Sequence, residues 1–180
     1  MAALSWTRHF SDLARYNVWA TERLSSAVAA MTEADYHRDV GLFFKSVHGT
    51  LNHLLVGEHL LWFRRFDEGV SPMVALDAQI QPGRAEVTKA LQEGALRWEG
   101  LIQSWPPERW EGVLHYTTTR GVPASLPFAS TLAHVFNHAT HHRGQITAAL
   151  THMGYDCPVL DLAYWLLEQA ATTEKNLPES

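Results

Sequence analysis

The sequence predicts an all-α protein: a four-helix bundle with a long crossover that contains a short β-hairpin, followed by a short C-terminal helix. Four long segments carry apolar residues at helical spacing, and proline-containing or irregular stretches separate them. Of the 180 residues, 46% are hydrophobic and 18% are charged, which is typical of one globular domain. We therefore expect a single domain over residues 1–180, with a frayed polar tail at residues 172–180.

The first two helices are predicted from apolar side chains that recur every three or four residues along the chain. Helix one is expected over residues 4–31, and helix two over residues 43–66 with an end near Gly69. Residues 32–41, which lie between them, are polar and irregular and are expected to form a loop.

The middle of the chain combines a loop, a third helix and a predicted hairpin. Residues 70–83 contain two prolines and are expected to form a connecting loop over the surface. Residues 84–105 form an amphipathic segment that two consecutive prolines terminate. Between residues 110 and 128, alternating side chains rich in Thr and Tyr predict a short hairpin around Arg120 and Gly121.

The fourth helix gives the strongest periodic pattern in the chain. Ser130 is expected to cap it, and its apolar positions continue as far as Gly154. A short fifth helix is predicted over residues 160–169. Helical bundles commonly hold metal sites between facing helices, so the polar residues on these helices are of particular interest.

Composition excludes several classes of function. The chain has 14 basic and 19 acidic residues, and a net charge of -5 argues against nucleic acid as a partner. A single cysteine, Cys157, cannot form an intrachain disulfide, is expected to be structural, and favours a reducing cytoplasm. The amino terminus lacks the pattern of a signal peptide, and the apolar stretches are too short for a membrane-spanning helix.

Histidines are concentrated in the fourth helix: five of the 11 in the chain fall between residues 134 and 152. His138 and His142 are four residues apart, so both imidazoles lie on one helix face and can bind one ion. This face borders the apolar stripe of the helix, whereas His134 and His141 point further towards solvent. The pair His138 and His142 is therefore preferred over the pair His134 and His138.

A third ligand has to come from another helix, and helix two offers His48, His53, Glu58 and His59. Periodicity alone does not choose among them, because this helix is apolar over most of its circumference. Glu58 lies within the apolar stripe, where an unpaired carboxylate would be costly. It is expected to be a ligand, a partner of a ligand histidine, or protonated.

Several well-known catalytic motifs are missing from the sequence. Ala139 follows His138, where the helix-borne zinc protease motif requires glutamate. No glutamate precedes a histidine at the spacing that di-iron bundles use. The chain also lacks a glycine-rich phosphate loop and the nucleophile elbow of serine hydrolases.

Three segments give the chain a clear family resemblance: residues 14–20 (ARYNVWA), residues 43–53 (FFKSVHGTLNH) leading to Trp62, and residues 134–145 (HVFNHATHHRGQ). On these segments the chain resembles the DinB/YfiT-like family of metalloenzymes over nearly its whole length. The resemblance implies a three-histidine metal site formed by His53, His138 and His142. It selects His53, which periodicity left open.

The resemblance also implies a chemistry. Three neutral imidazoles leave coordination positions open, as in catalytic zinc sites. Imidazole suits both zinc and nickel, and the ligand set neither separates them nor excludes iron, copper or manganese. We expect a divalent ion, zinc or nickel, and a small-molecule substrate with a low-molecular-weight thiol as partner. The expected reaction is a thiol-dependent S-transfer or a metal-assisted hydrolysis in a homodimeric protein. The alternative is a non-catalytic, metal-stabilised protein of stress response or interaction.

Other residues of these segments receive structural interpretations first. Arg143 is expected to form a salt bridge, contact a partner subunit or bind substrate. Gln145 is expected to hydrogen-bond a ligand histidine or a bound substrate. Tyr16 and Asn17 are expected to pack helix one against the bundle. The sequence identifies no catalytic residue beyond the metal ligands.

Overall fold

A computed structural model describes residues 5–175 of the chain. The described part contains six α-helices, one 3-10 turn and a two-stranded sheet. Their bounds are α1 at Trp6–Ala29, α2 at Glu33–His37, α3 at residues 47–67, α4 at Arg84–Ser104, the 3-10 turn at Pro107–Glu111, β1 at Val113–Thr117, β2 at Pro123–Pro127, α5 at Phe128–His152 and α6 at Leu162–Lys175. Among these residues no helix is long and apolar enough to cross a membrane.

The four long helices α1, α3, α4 and α5 form the predicted bundle around two apolar clusters. One cluster includes Leu24, Val28, Val47, Leu51, Val87, Leu91, Ile146 and Leu150. The other is rich in aromatic residues and includes Phe10, Ala14, Phe63, Phe66, Trp98, Ile102, Phe128 and Leu132. Because α1 and α5 begin at the aromatic cluster while α3 and α4 end there, the two pairs of helices run in opposite directions.

A layer of buried polar side chains separates the two apolar clusters. Asn17 from α1, Glu58 and His59 from α3, and Arg143 from α5 are each at most 6% exposed. Such groups are tolerated inside a core only when they bond to one another. This layer lies at the same level of the bundle as the histidines of α5.

The connections match the prediction except that the hairpin, which was expected within the long crossover, lies outside it. Segment 68–83 returns along the bundle from the end of α3 to the start of α4, as a crossover between two parallel helices requires. The hairpin lies between α4 and α5, and β1 pairs with β2 in antiparallel register with Val113 opposite Pro127 and Thr117 opposite Pro123. The hairpin turn contains Gly121, whose positive φ of 77° accounts for glycine at that position.

Two boundaries near helix two differ from the prediction. Residues 32–41 were expected to form a loop but contain the short helix α2. Thr32 caps the start of α2, because its side chain accepts a hydrogen bond from the Asp35 backbone N–H. Helix α3 begins at Val47 rather than at residue 43, because Lys45 adopts a φ of 69° and Ser46 then caps the helix by accepting from the Gly49 N–H. Phe43 and Phe44 therefore lie in the turn before the helix.

The later helices also differ at their ends. Helix α5 begins at Phe128 and not after Ser130, because strand β2 leads directly into it with Pro127 in the capping position. Helix α6 begins at Leu162 and continues to Lys175, so residues 172–175 are helical rather than frayed. The predicted tail beyond them, residues 176–180, and the predicted start of helix one at residue 4 lie outside the described residues.

Candidate metal centre

The helix that carries His53 changes its hydrogen-bonding pattern next to the candidate site. Within α3, the segments Val47–Leu54 and Phe63–Asp67 are α-helical, whereas Leu55–Trp62 is π-helical. The Phe63 backbone N–H donates to Glu58 O, five residues back, as this geometry requires. Long π-helical segments are rare and frequently occur at functional sites.

The structure brings the three predicted histidines together. His53 Nε2 lies 3.1 Å from His138 Nε2, and His142 Nε2 lies 3.1 Å from the same atom. The candidate ligand atoms of the three residues all lie within 4.8 Å of one another, and this group could hold a metal ion. Two nitrogens bound about 2.0 Å from one tetrahedral ion are about 3.3 Å apart, so the spacing suits a common ligand sphere.

Neighbouring acceptors determine which nitrogen of two histidines carries the proton. His53 Nδ1–H donates to the backbone oxygen of Leu76 at 2.8 Å. His142 Nδ1–H donates to Gln145 Oε1 at 2.8 Å, and the amide of Gln145 in turn donates to His141 Nε2 at 3.2 Å. Since a carbonyl oxygen only accepts, the Nε2 atoms of His53 and His142 are left unprotonated.

Both of these Nε2 lone pairs face His138 Nε2. A proton on that atom can satisfy one of them but not both, and His138 Nδ1 is buried without a hydrogen-bond partner. Three converging imidazole lone pairs are the donor set that a divalent cation binds. The residues present therefore fit a metal ion on the chemistry of their own atoms.

Burial keeps the three imidazoles neutral. Desolvation is the main cause that lowers the pKa of His138 to about 3 and the pKa of His142 to about 4, with further lowering from neighbouring histidines. Desolvation also lowers the pKa of His53, against the hydrogen bond to Leu76. Metal binding requires deprotonated ligands, so no proton has to leave these rings near neutral pH.

The turn before α3 covers one side of the centre. The ring of Phe44 stacks on His53, with ring centroids 3.8 Å apart and an interplanar angle of 16°. The backbone oxygen of Phe44 approaches Gly49 so closely that a methyl group at Gly49 would lie 2.2 Å from it. Glycine at this position therefore allows the turn to lie against the helix.

A pocket of about 300 Å³ opens beside the histidines, between α3, α5, the hairpin and segment 68–83. Its wall includes His53 and His138, together with Gly57, Leu61, Trp62, Arg65, Leu76, Tyr116, Thr118, Thr119 and His134. This volume is at the lower end of small-molecule sites. The centre therefore has a space in which a small substrate fits.

Glu58 lies in the buried polar layer and not among the candidate ligands. It accepts a hydrogen bond from Asn17 Nδ2 at 3.1 Å, and burial is the main cause that raises the pKa of Glu58 to about 7. Burial lowers the pKa of neighbouring His59 to about 3. The two groups approach to 3.9 Å, but below pH 7 both are neutral and form no ion pair. Of the three predicted roles, the structure favours a protonated Glu58.

The remaining predicted residues have clear surroundings. Arg143 is buried and donates to Asn17 and to Thr140 of its own helix. Tyr16 donates to the backbone oxygen of Leu160, which ties α1 to the segment before α6. His134 and His141 are exposed on α5, and Cys157 is exposed rather than packed in the core.

Four contributors to the site were not predicted: Phe44, Leu76, Arg65 and Tyr116. Phe44 was assigned to a helix, and Leu76 contributes only a backbone oxygen, which no sequence pattern reveals. Tyr116 was noted only as a strand residue. Arg65 did carry a signal, because it is a basic residue within the apolar run that ends at Phe66.

Comparison with known proteins agrees with the fold. The model of the DinB family matches residues 6–175. The chain therefore belongs to the DinB family.

The individual relatives have low sequence identity to this chain but match most of its length. Protein DinB of Bacillus subtilis (strain 168) is 26% identical over 158 residues, which are 86% of this chain and 91% of that protein. YfiT from Bacillus subtilis, described as a probable metal-dependent hydrolase with an unusual four-helix bundle topology, superposes with a TM-score of 0.67 at 18% identity, covering 87% of this chain and 93% of YfiT. A DinB-like protein from Bacillus cereus ATCC 10987 gives a TM-score of 0.56 at 15% identity, and the match covers 78% of this chain and 90% of that protein. The prediction of an all-α four-helix bundle with a short hairpin is thereby confirmed.

Proposed function

We propose that this protein is a divalent-metal-dependent enzyme that activates a low-molecular-weight thiol or water for attack on a small electrophile. The observation that carries the proposal is the convergence of the Nε2 atoms of His53, His138 and His142, of which those of His53 and His142 are unprotonated. A divalent ion held by these three imidazoles would supply Lewis acidity and would lower the pKa of a bound thiol or water. Zinc and nickel both suit this ligand set.

The residues around the centre have separate tasks in this proposal. Leu76 O and Gln145 hold the two flanking imidazoles in the tautomer that presents Nε2. Phe44 covers the His53 ring, and the neighbouring pocket receives the electrophile. In thiol transfer, the sulfur lone pair forms the new bond to carbon, the leaving group departs with its bonding electrons, and the thiol proton passes to solvent.

The likeness to YfiT supports the hydrolase form of this reaction, and the open three-histidine set is compatible with both forms. Assays with zinc- and nickel-loaded protein separate them. Conjugation of a thiol to monochlorobimane reports transfer, and release of nitrophenol from nitrophenyl acetate reports hydrolysis. We expect one activity that a chelator removes, that the metal restores and that His53→Ala abolishes.

A non-catalytic, metal-stabilised protein would give another result. Chelation would then lower the melting temperature, because the bound ion stabilises the folded state by mass action. Neither assay would rise above the rate of the free metal ion. That combination would contradict the proposed activity while leaving the metal centre in place.

A further inference from the structure

Arg65 is a buried cation in the wall of the pocket beside the histidines. It lies on the same face of α3 as His53, Gly57 and Leu61, each four residues from the next, and all four line the pocket. Only 5% of Arg65 is exposed to solvent. The guanidinium is permanently charged, so its burial requires an explanation.

The hydrogen bonds of Arg65 leave most of its donors unused. Nη2 donates to the Thr117 backbone oxygen at 3.0 Å, and this is its one hydrogen bond within residues 5–175. Nε is buried with no partner. No carboxylate of the described residues lies within ion-pair distance of Arg65, although four of its five N–H groups remain unpaired.

Aromatic rings hold the guanidinium in place. The ring of Trp62 on α3 and the ring of Tyr116 on β1 each have their centroid 4.6 Å from the Arg65 Cζ. Contacts of this kind offset part of the cost of burial, but they involve the ring faces and satisfy no N–H group. Both rings line the same pocket as the histidines.

The surroundings of Arg143, the second buried arginine of the bundle, differ from those of Arg65. Arg143 donates to Asn17 and Thr140, and the Glu58 carboxyl is near enough for Arg143 to lower its pKa. Two of its side-chain nitrogens therefore have side-chain acceptors and a carboxyl group lies nearby, although its Nε, like that of Arg65, is buried without a partner. Arg65 has a single backbone acceptor, aromatic walls and an open pocket, which are the surroundings of a ligand-binding arginine.

We propose that Arg65 binds a carboxylate of the small molecule that reacts at the histidine centre. This inference rests on the proposed function and specifies its substrate class, an anionic small molecule. A carboxylate bonds to a guanidinium through two parallel N–H groups, which would supply acceptors for the unpaired donors. The Trp62 and Tyr116 rings would then enclose the carbon chain between that carboxylate and the reacting atom.

The test uses two thiols of equal length on cobalt-loaded protein, in which thiolate binding produces a charge-transfer absorption band. 3-Mercaptopropionate carries a carboxylate, and 3-mercaptopropan-1-ol carries a hydroxyl in its place. We expect wild type to bind the acid about tenfold more tightly than the alcohol, as for one buried hydrogen-bonded charge. Arg65→Met should remove this preference without weakening binding of the alcohol.

Two further variants control the comparison. Arg64→Met changes the adjacent arginine, which pairs with Glu68 on the surface, and should retain the preference. Arg65→Lys keeps the charge but lacks the planar pair of donors, and it should retain only part of the preference for the acid. This variant replaces Arg65→Met in the comparison if the methionine variant fails to fold. Cobalt content is measured for each variant, so that a damaged metal centre is recognised directly.

Calorimetric titration with succinate, which has no thiol, tests whether the second substrate carries the anion instead. If succinate binds wild type about tenfold more tightly than Arg65→Met, the result supports the assignment of Arg65 to a carboxylate on the second substrate. Equal affinities for the two thiols, together with succinate binding independent of Arg65, would overturn it and leave the metal centre intact. If neither thiol binds, the thiol-dependent reaction is contradicted, and the succinate titration alone decides the role of Arg65.

Discussion

The side chain of Gln145 determines which nitrogen of His142 is free for a metal. Its Oε1 accepts from Nδ1–H, and its amide group donates to His141. Partners of this kind typically contribute a factor of 10–100 in metal affinity. We expect Gln145→Leu to weaken zinc binding by about tenfold or more in a competition titration with a chromogenic chelator.

His141→Ala is the matched control for that measurement. His141 is exposed, and its hydrogen bond to Gln145 does not involve the oxygen that His142 uses. Zinc affinity within about twofold of wild type is expected for this variant. A Gln145→Leu protein that binds zinc as tightly as wild type would refute the role assigned to Gln145.

Glu58 makes the stability of the fold depend on pH. Its folded-state pKa of about 7 lies above the unfolded value of 4.5, so the unfolded chain releases this proton first as pH rises. The contribution of this group to the free energy of unfolding is complete below pH 4.5 and is lost as pH rises through about 7. Its full size is about 3 kcal/mol.

Glu58→Gln removes that pH dependence while keeping an oxygen acceptor for Asn17. We expect the variant to gain stability relative to wild type between pH 5 and pH 8, measured by urea unfolding at both pH values. Glu93 is an exposed carboxylate on α4. Glu93→Gln should differ from wild type in free energy of unfolding by the same small amount at pH 5 and at pH 8. An unchanged difference for Glu58→Gln would mean that Glu58 is ionised in the folded protein throughout this range.

At the scale of elements, the start of α3 links helix packing to the candidate metal centre. Gly49 lets the turn containing Phe44 lie against the helix, and Phe44 stacks on His53. Gly49→Ala forces the backbone of that turn away. We expect a loss of about 1–3 kcal/mol in stability and, in the folded fraction, a weaker affinity for zinc.

Gly94→Ala provides a comparison at another close contact. A methyl group there would lie 2.4 Å from the ring of His59, in the polar layer and away from the three candidate ligands. This variant should lose a similar amount of stability while its zinc affinity stays at the wild-type value. Equal zinc affinities in the two glycine variants would show that the Phe44 turn does not support the centre.

The helices were predictable from sequence where one face of each is apolar, as in α1, α4 and α5. Helix α3 is buried on nearly every side from Val47 to His59, so its periodicity could not indicate which histidine faces α5 or where the π-helical segment begins. The pair His138 and His142 followed from spacing, and His53 followed only from family resemblance. Tertiary contacts such as Leu76 O to His53 have no sequence signature.

At the scale of the whole molecule, helix α6 presents an unusually apolar surface. Of the 14 large hydrophobic residues exposed in the described part of the chain, five lie between residues 159 and 167: Val159, Leu162, Tyr164, Leu166 and Leu167. Exposed apolar patches commonly mark interfaces. The homodimer expected from the family resemblance remains a prediction, and α6 is where we expect the second copy to bind.

Light scattering tests this prediction at micromolar concentration. Wild type should give a mass twice the 20.3 kDa of one chain, and Leu167→Glu should shift it towards a single chain. Leu96→Glu alters an equally exposed leucine on α4, 64% against 65%, and should leave the dimer intact. A wild-type mass of one chain would contradict the dimer. The cytoplasmic location, expected from the single cysteine, also remains a prediction.

The candidate metal centre joins two antiparallel helices, because His53 lies on α3 and the other two histidines lie on α5. The most direct test is elemental mass spectrometry of protein purified without an affinity tag or added metal. Wild type and His134→Ala should carry about one ion per chain, whereas His142→Ala should carry none while remaining folded. A wild-type protein that is empty and takes up neither zinc nor nickel would contradict the account.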